Sequence, residues 1–140
     1  MKIRGIIYIV GIGPGGLEHL TFKAKDVLER SEVIVGYKTY IDLIAPLITG
    51  KEVFSTGMTQ EIERCKKAIE FAKGGKKVAV ISSGDSGIYG MAGLVLELLK
   101  GFKGSRRVPF GRGFKEKSIT HHSSLITVSI IPGVPAFCAA

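Results

Sequence analysis

The sequence predicts an α/β domain in which a mostly parallel sheet of five strands is covered by helices on both faces. Three features of the 140 residues carry that prediction. Short apolar runs alternate with segments of helical period, the order of a sheet built from strand–helix–strand units. The runs are continuously apolar rather than alternating with polar residues, as strands buried on both faces are. Where a run passes into a helical segment, the junction is rich in glycine, serine or proline, and ligands of parallel sheets bind at such carboxyl ends.

The first strand is GIIYIVGI at 5–12, rich in β-branched residues and ended by glycines. Thr21 is placed to cap a helix whose apolar positions Ala24, Val27 and Leu28 follow helical spacing. EVIV at 32–35 is a second buried strand closed by Gly36, and residues 38–48 give a short helix with Tyr40, Ile41, Ile44 and Leu47 apolar. EVF at 52–54 is a brief third strand. Thr59 is expected to cap the next helix, in which Ile62, Cys65, Ile69 and Ala72 form one stripe stopped by Gly74 and Gly75. KVAVIS at 77–82 is the fourth strand, and Ile88, Met91, Val95 and Leu98 make the stripe of the helix after it. LITVSII at 125–131 supplies the fifth strand. Between them, residues 101–124 have no period and much charge, and read as a long surface loop or basic insertion.

The length fits one domain, 1–140, and an apolar fraction of 45% excludes general disorder. A net charge of +8 suggests an anionic partner, but its distribution matters more. Lys100, Lys103, Arg106, Arg107, Arg112, Lys115 and Lys117 stand against Glu116 alone, so one segment carries +6 of the total. Phe102, Phe110 and Phe114 interleave with those charges, yet no recognised nucleic-acid module is present, and no nucleic-acid partner is expected. No apolar run approaches the roughly 18 residues of a membrane span, and the N-terminus lacks a signal-peptide layout. A cytoplasmic protein without a membrane partner is the expectation. Cys65 and Cys138 give neither metal spacing nor a disulfide framework, and Cys65, at an apolar helical position, reads as a buried free thiol. His121 and His122 are an adjacent pair in the basic stretch, and no metal site is expected.

The loop GIGPGG at 11–16 satisfies G-x-G-x-x-G, the dinucleotide fingerprint. Two observations count against that ligand. A dinucleotide fold needs an acidic residue at the end of the second strand, and Val35, Gly36 and Tyr37 stand there instead. Pro14 also removes a backbone donor from the turn that would hold the pyrophosphate. In the loop SSGDSGIYG at 82–90, Asp85 lies where a buried strand meets a helix; capping is one role for it, and accepting from ligand hydroxyls or amines is the other. Tyr89, one turn on, offers an aromatic face or core packing. The third loop is IPGVPA at 131–136. His19, just after the glycine turn, is either an exposed residue at a helix start or a substrate contact. No His, Glu or Asp stands in an unmistakable catalytic context.

Together the three loops resemble those of the tetrapyrrole (corrin and porphyrin) methyltransferases. The resemblance runs nearly continuously over 5–100, carried by VGIGPGG, by LTFKAKDVLERSEVIVGYKTYIDLI and by SSGDSGIYGMAGLVLELL, and returns at 128–140. It implies the N-terminal domain of a two-domain methylase fold. It implies S-adenosylmethionine as methyl donor and a tetrapyrrole substrate. Within the family the match is to the branch that methylates C17 of precorrin-3B or cobalt-precorrin-3B, with ring contraction, in cobalamin biosynthesis; the family usually forms homodimers. By motif match, Ser83, Gly84 and Asp85 would line the donor site with Ile88 nearby. Pro135 and Ala136, where relatives have Ser or Thr followed by Ala, would close its other side. Pro14 would face both donor and tetrapyrrole, and Gly13 and Gly15 would lie against the substrate. The chemistry needs alignment of carbon and methyl and exclusion of water more than a triad. Cationic side chains have an evident use against the substrate's carboxylates.

The chain departs from the family in two places. Residues 101–127 replace what is ordinarily a short connection, and the second domain, the other wall of the donor pocket, is expected to be absent, since VPAFCAA at 134–140 reads as the start of a helix cut short. A reading of a different class is therefore a non-catalytic truncated fragment whose basic segment holds polyanions. Calorimetry with the methyl donor or its demethylated product separates the two.

Overall fold

The computed structural model describes residues 3–13, 17–83, 85–100, 116–121 and 124–131. Ten elements follow in chain order: β1 (Ile3–Gly11), α1 (Phe22–Arg30), β2 (Val33–Tyr37), α2 (Lys38–Leu43), β3 (Glu52–Thr56), α3 (Glu61–Lys73), β4 (Lys77–Ser82), α4 (Asp85–Lys100), β5 (Glu116–His121) and β6 (Ser124–Ile131). They form one sheet of order β3–β2–β4–β1–β6–β5. The five strands from β3 to β6 in that order are parallel, as expected. The sixth, β5, pairs antiparallel with β6 from Glu116 opposite Ser129 to His121 opposite Ser124. This corrects the expectation of a loop across all of 101–124. Lys117, Ser118, Ile119 and Thr120 carry no strong apolar signal, which an edge strand, with one side open to solvent, does not require.

Side chains of the strands point alternately to the two faces, and each face has its own core. Ile7, Ile9, Val33, Val35, Val78, Val80, Ile126 and Val128 meet α3 and α4, which contribute Cys65, Ala68, Ile69, Ala72, Ile88, Val95 and Leu96. On the other face Tyr8, Val10, Ile34, Ala79 and Ile81 meet Ala24, Val27 and Leu28 of α1 and Ile41 of α2. The continuously apolar strands are thus explained: both sides are covered. Each fully buried aliphatic side chain contributes on the order of 1.5–3 kcal/mol. Contact between α3 and β1 is so close that a Cβ on Gly5 would lie 1.9 Å from the carbonyl oxygen of Ala72, so no residue other than glycine fits at that crossing.

Local chemistry sets the helix boundaries. The Ala24 N–H donates to Thr21 Oγ1 at 3.0 Å, so Thr21 caps α1 as its sequence suggests. At the other end Lys51 Nζ donates to the carbonyls of Glu29 and Ser31, both at 2.7 Å. The single helix expected over 38–48 is instead α2 followed by a separate 3₁₀ turn, Ala45–Leu47. Pro46 is the cause, since its ring has no N–H to continue the ladder. Thr59 does not cap α3. Its φ is +70°, whereas an N-cap needs extended backbone, and Gln60 takes the cap position without a side-chain bond. The stripe of α3 also differs: Ile62 is 53% exposed, and Arg64 and Ala68 are buried. Ile62 shares the angular phase of Ile69, but it lies in the first turn of α3, where its side chain stays exposed. In α4, Leu98 is half-buried, while Leu96 and Leu99 take the core positions.

Candidate functional site

The carboxyl edge of the sheet positions the site. Gly11 is in register with Ser82, and Val10 with Ile131, so β4, β1 and β6 end side by side. The three loops singled out from the sequence leave the sheet from these adjacent ends. The ladder runs one residue further, where the Ile12 N–H donates to the Ser82 carbonyl at 2.9 Å. From β1 the chain turns toward α1 on one face, and from β4 toward α4 on the other. Strands that diverge in this way leave a crevice between their ends, the usual ligand position in an open α/β sheet.

The residues expected there are placed as follows. Gly13 is buried and has φ +80°, a backbone conformation that glycine adopts without strain. Ser83 is exposed, and Asp85 is the first residue of α4. Ile88 is fully buried and belongs to the core against the sheet. Pro14, Gly15, Gly84, Pro135 and Ala136 lie outside the described residues, as do Cys138, His122 and the basic stretch 101–115. His19 ends a 3₁₀ turn, Leu17–His19, and is half-buried, its Nδ1 covered and without a partner among the described residues. Tyr89 is exposed rather than part of the core.

Beside this edge opens a cleft of about 300 Å³ that sequence reasoning missed. Tyr37 at the end of β2, Tyr40 of α2, Thr59 and Arg64 from the β3–α3 region, Ser83 and Leu94 of α4 all line it. Ser83 thereby joins the cleft to the three loops. The rings of Tyr37 and Tyr40 meet edge to face, with centroids 5.2 Å apart and planes at 86°. Arg64 is only 5% exposed and is the one buried charged side chain among the described residues. Its Nη1 donates to Thr56 Oγ1 at 2.6 Å and to the Gly57 carbonyl at 3.1 Å. Its Nη2 lies 3.7 Å from Glu61 Oε2, an ion pair beyond hydrogen-bond distance, and its Nε has no partner among the described residues. A buried N–H left unpaired costs about 1–3 kcal/mol. The only sequence signal was an ordinary Glu61–Arg64 pair one turn apart on a helix, a spacing that more often marks a solvated face. Cys65, next in the chain, is buried as expected, with Sγ 3.2 Å from Met91 Sδ. Among the described residues no helix is long and apolar enough to cross a membrane.

The edge from which the three strand-end loops start thus stands beside a cleft lined by aromatic, aliphatic and hydroxyl side chains and by one opposed pair of charges, Arg64 and Glu61. A family model described as Tetrapyrrole (Corrin/Porphyrin) Methylases matches residues 6–104. The chain belongs to that family. The chain is 53% identical over 94 residues to the probable cobalt-factor III C(17)-methyltransferase of Salmonella typhimurium, a match that takes in 67% of this chain and 39% of the relative. Among solved structures, the methyltransferase CobJ superposes with a TM-score of 0.70 at 31% identity, covering 97% of this chain and 49% of that one. Uroporphyrin-III C-methyltransferase from Thermus thermophilus, complexed with S-adenosylhomocysteine, gives a TM-score of 0.61 at 27% identity over 94% of this chain and 49% of that one. The chain thus spans less than half the length of the curated relatives it matches, as little as 19% in one of them. The matched segment runs from β1 through α4, the same stretch that carries the resemblance in the sequence.

Proposed function

We propose that this chain is the donor-side domain of a methyltransferase that carries the methyl group of S-adenosylmethionine to C17 of a corrin precursor in cobalamin biosynthesis. The observation that carries the reading is the adjacency of Gly11, Ser82 and Ile131, which start the family's three loops from neighbouring strand ends at the sheet's reversal point. The name of the Salmonella relative favours the cobalt-containing macrocycle as substrate. The acceptor carbon attacks the methyl, the carbon–sulfur bond breaks, and the sulfonium leaves as a neutral thioether. The protein's part is to hold the two in line and keep water away. In this proposal Ser83, Gly84 and Asp85 line the donor with Pro14, Pro135 and Ala136, Ile88 packs behind them in the core, and Gly13, Pro14 and Gly15 face the tetrapyrrole. The proposal extends to a cytoplasmic homodimer.

Calorimetry with S-adenosylhomocysteine tests it. The chain is expected to bind this product, and Asp85→Ala to weaken binding about tenfold, the loss of one hydrogen bond to a charged group. Absence of binding at millimolar ligand sinks the reading for this chain.

A further inference from the structure

Arg64 holds a guanidinium inside the protein with two of its five N–H donors committed to neutral acceptors. Nη1 is used up on Thr56 Oγ1 and the Gly57 carbonyl, and this fixes the plane of the group against the end of β3. The opposite side, Nε–H together with the adjacent Nη2–H, is the edge by which a guanidinium takes both oxygens of a carboxylate at once. On that edge Nε has no hydrogen-bond partner among the described residues, and Nη2 has only Glu61 at 3.7 Å. Glu61 is itself 53% exposed, and both residues line the cleft.

We propose that the Nε–Nη2 edge of Arg64 is the receptor for one side-chain carboxylate of the tetrapyrrole, and that Glu61 stands in as its counter-charge until the substrate arrives. This rests on the reading that the substrate is a carboxylate-bearing tetrapyrrole. Tyr37 and Tyr40 line the same cleft, where aromatic faces suit a flat conjugated ring. Arg64 would then fix the rotation of the macrocycle in its own plane, which decides the pyrrole carbon presented to the donor. It acts as a positioning and specificity residue, since it touches the periphery of the substrate and no reacting atom. Lysine is no substitute, because a single ammonium point charge lacks the planar fork.

The test uses the whole chain with uroporphyrin III, an octacarboxylate tetrapyrrole, as probe. Fluorescence titration gives affinity, and the Arg64 Nε–H proton signal is followed by NMR. Saturating probe is expected to move that signal downfield. Arg64→Lys should weaken probe binding about tenfold with S-adenosylhomocysteine affinity unchanged. Glu61→Gln, which removes the competing charge, should tighten probe binding. An Nε–H signal that stays in place at saturation overturns the proposal, as does a chain that does not bind the probe, even where Arg64→Lys cannot fold. Binding of S-adenosylhomocysteine without the probe leaves the methyl-donor reading standing and removes this subsite; binding of the probe alone, with the signal moved, does the reverse.

Discussion

Cys65 shows how burial alone can give a single atom a pH-dependent weight in stability. It has no exposed surface, and burial pushes its thiol up from 9.0 to about 12, with the nearby Arg64 lowering it less. In the unfolded chain the thiol ionises near pH 9, while in the fold it stays protonated. Between these values the unfolded state binds fewer protons, so stability is full below pH 9 and falls as pH rises toward 12, by up to about 1.4 kcal/mol per pH unit. Denaturant midpoints measured from pH 8 to 11 should therefore converge for the unaltered protein and Cys65→Ala, and parallel curves would refute the assignment. Arg64, one position earlier, has the opposite history. Nothing in its sequence setting distinguished it from a surface arginine. Its neighbours in the fold, Thr56 and Gly57, reach it through the turn of chain before α3, which Thr59 makes in the left-handed region.

Among the elements, α1 depends on polar contacts at both ends, Thr21 at the first turn and Lys51 at the last carbonyls. Thr21→Ala is expected to cost about 1 kcal/mol, read as a lower thermal midpoint with unchanged helix content. That cap was legible in the sequence because an N-cap is a local device, written within four residues. The cap at Thr59 was misread because the same residue type can sit in a turn, and only backbone direction separates the two. Strands β1, β2, β4 and β6 were legible because burial on both faces leaves an unbroken apolar run. β5 was not, because an edge strand is held by its neighbour's backbone and needs no apolar signature of its own. The strand-end loops could be found from sequence for the same reason as the buried strands: each follows a run. The cleft could not, since Tyr37, Arg64 and Leu94 meet only once β2, α3 and α4 have packed.

At the scale of the whole molecule, β1 and β4 lie inside the sheet, each with a parallel partner on both sides, whereas β3 and β5 are its edges. Amides of Ile7 to Val10 and of Val78 to Ile81 should exchange hydrogen only through global unfolding, and those of β3 and β5 faster; equal rates across the sheet would contradict the strand order. The same order has a consequence during synthesis. β1 finds β4 as soon as Ser82 has left the ribosome, but its other edge must wait for β6, which begins roughly forty residues later. At about 5–20 residues per second, that is some 2–8 s in which an apolar strand stands with an open backbone edge. Two nascent chains on one messenger can trade strands there. The pace of translation over residues 83–124 therefore bears on how much of the protein is made in its single-chain form.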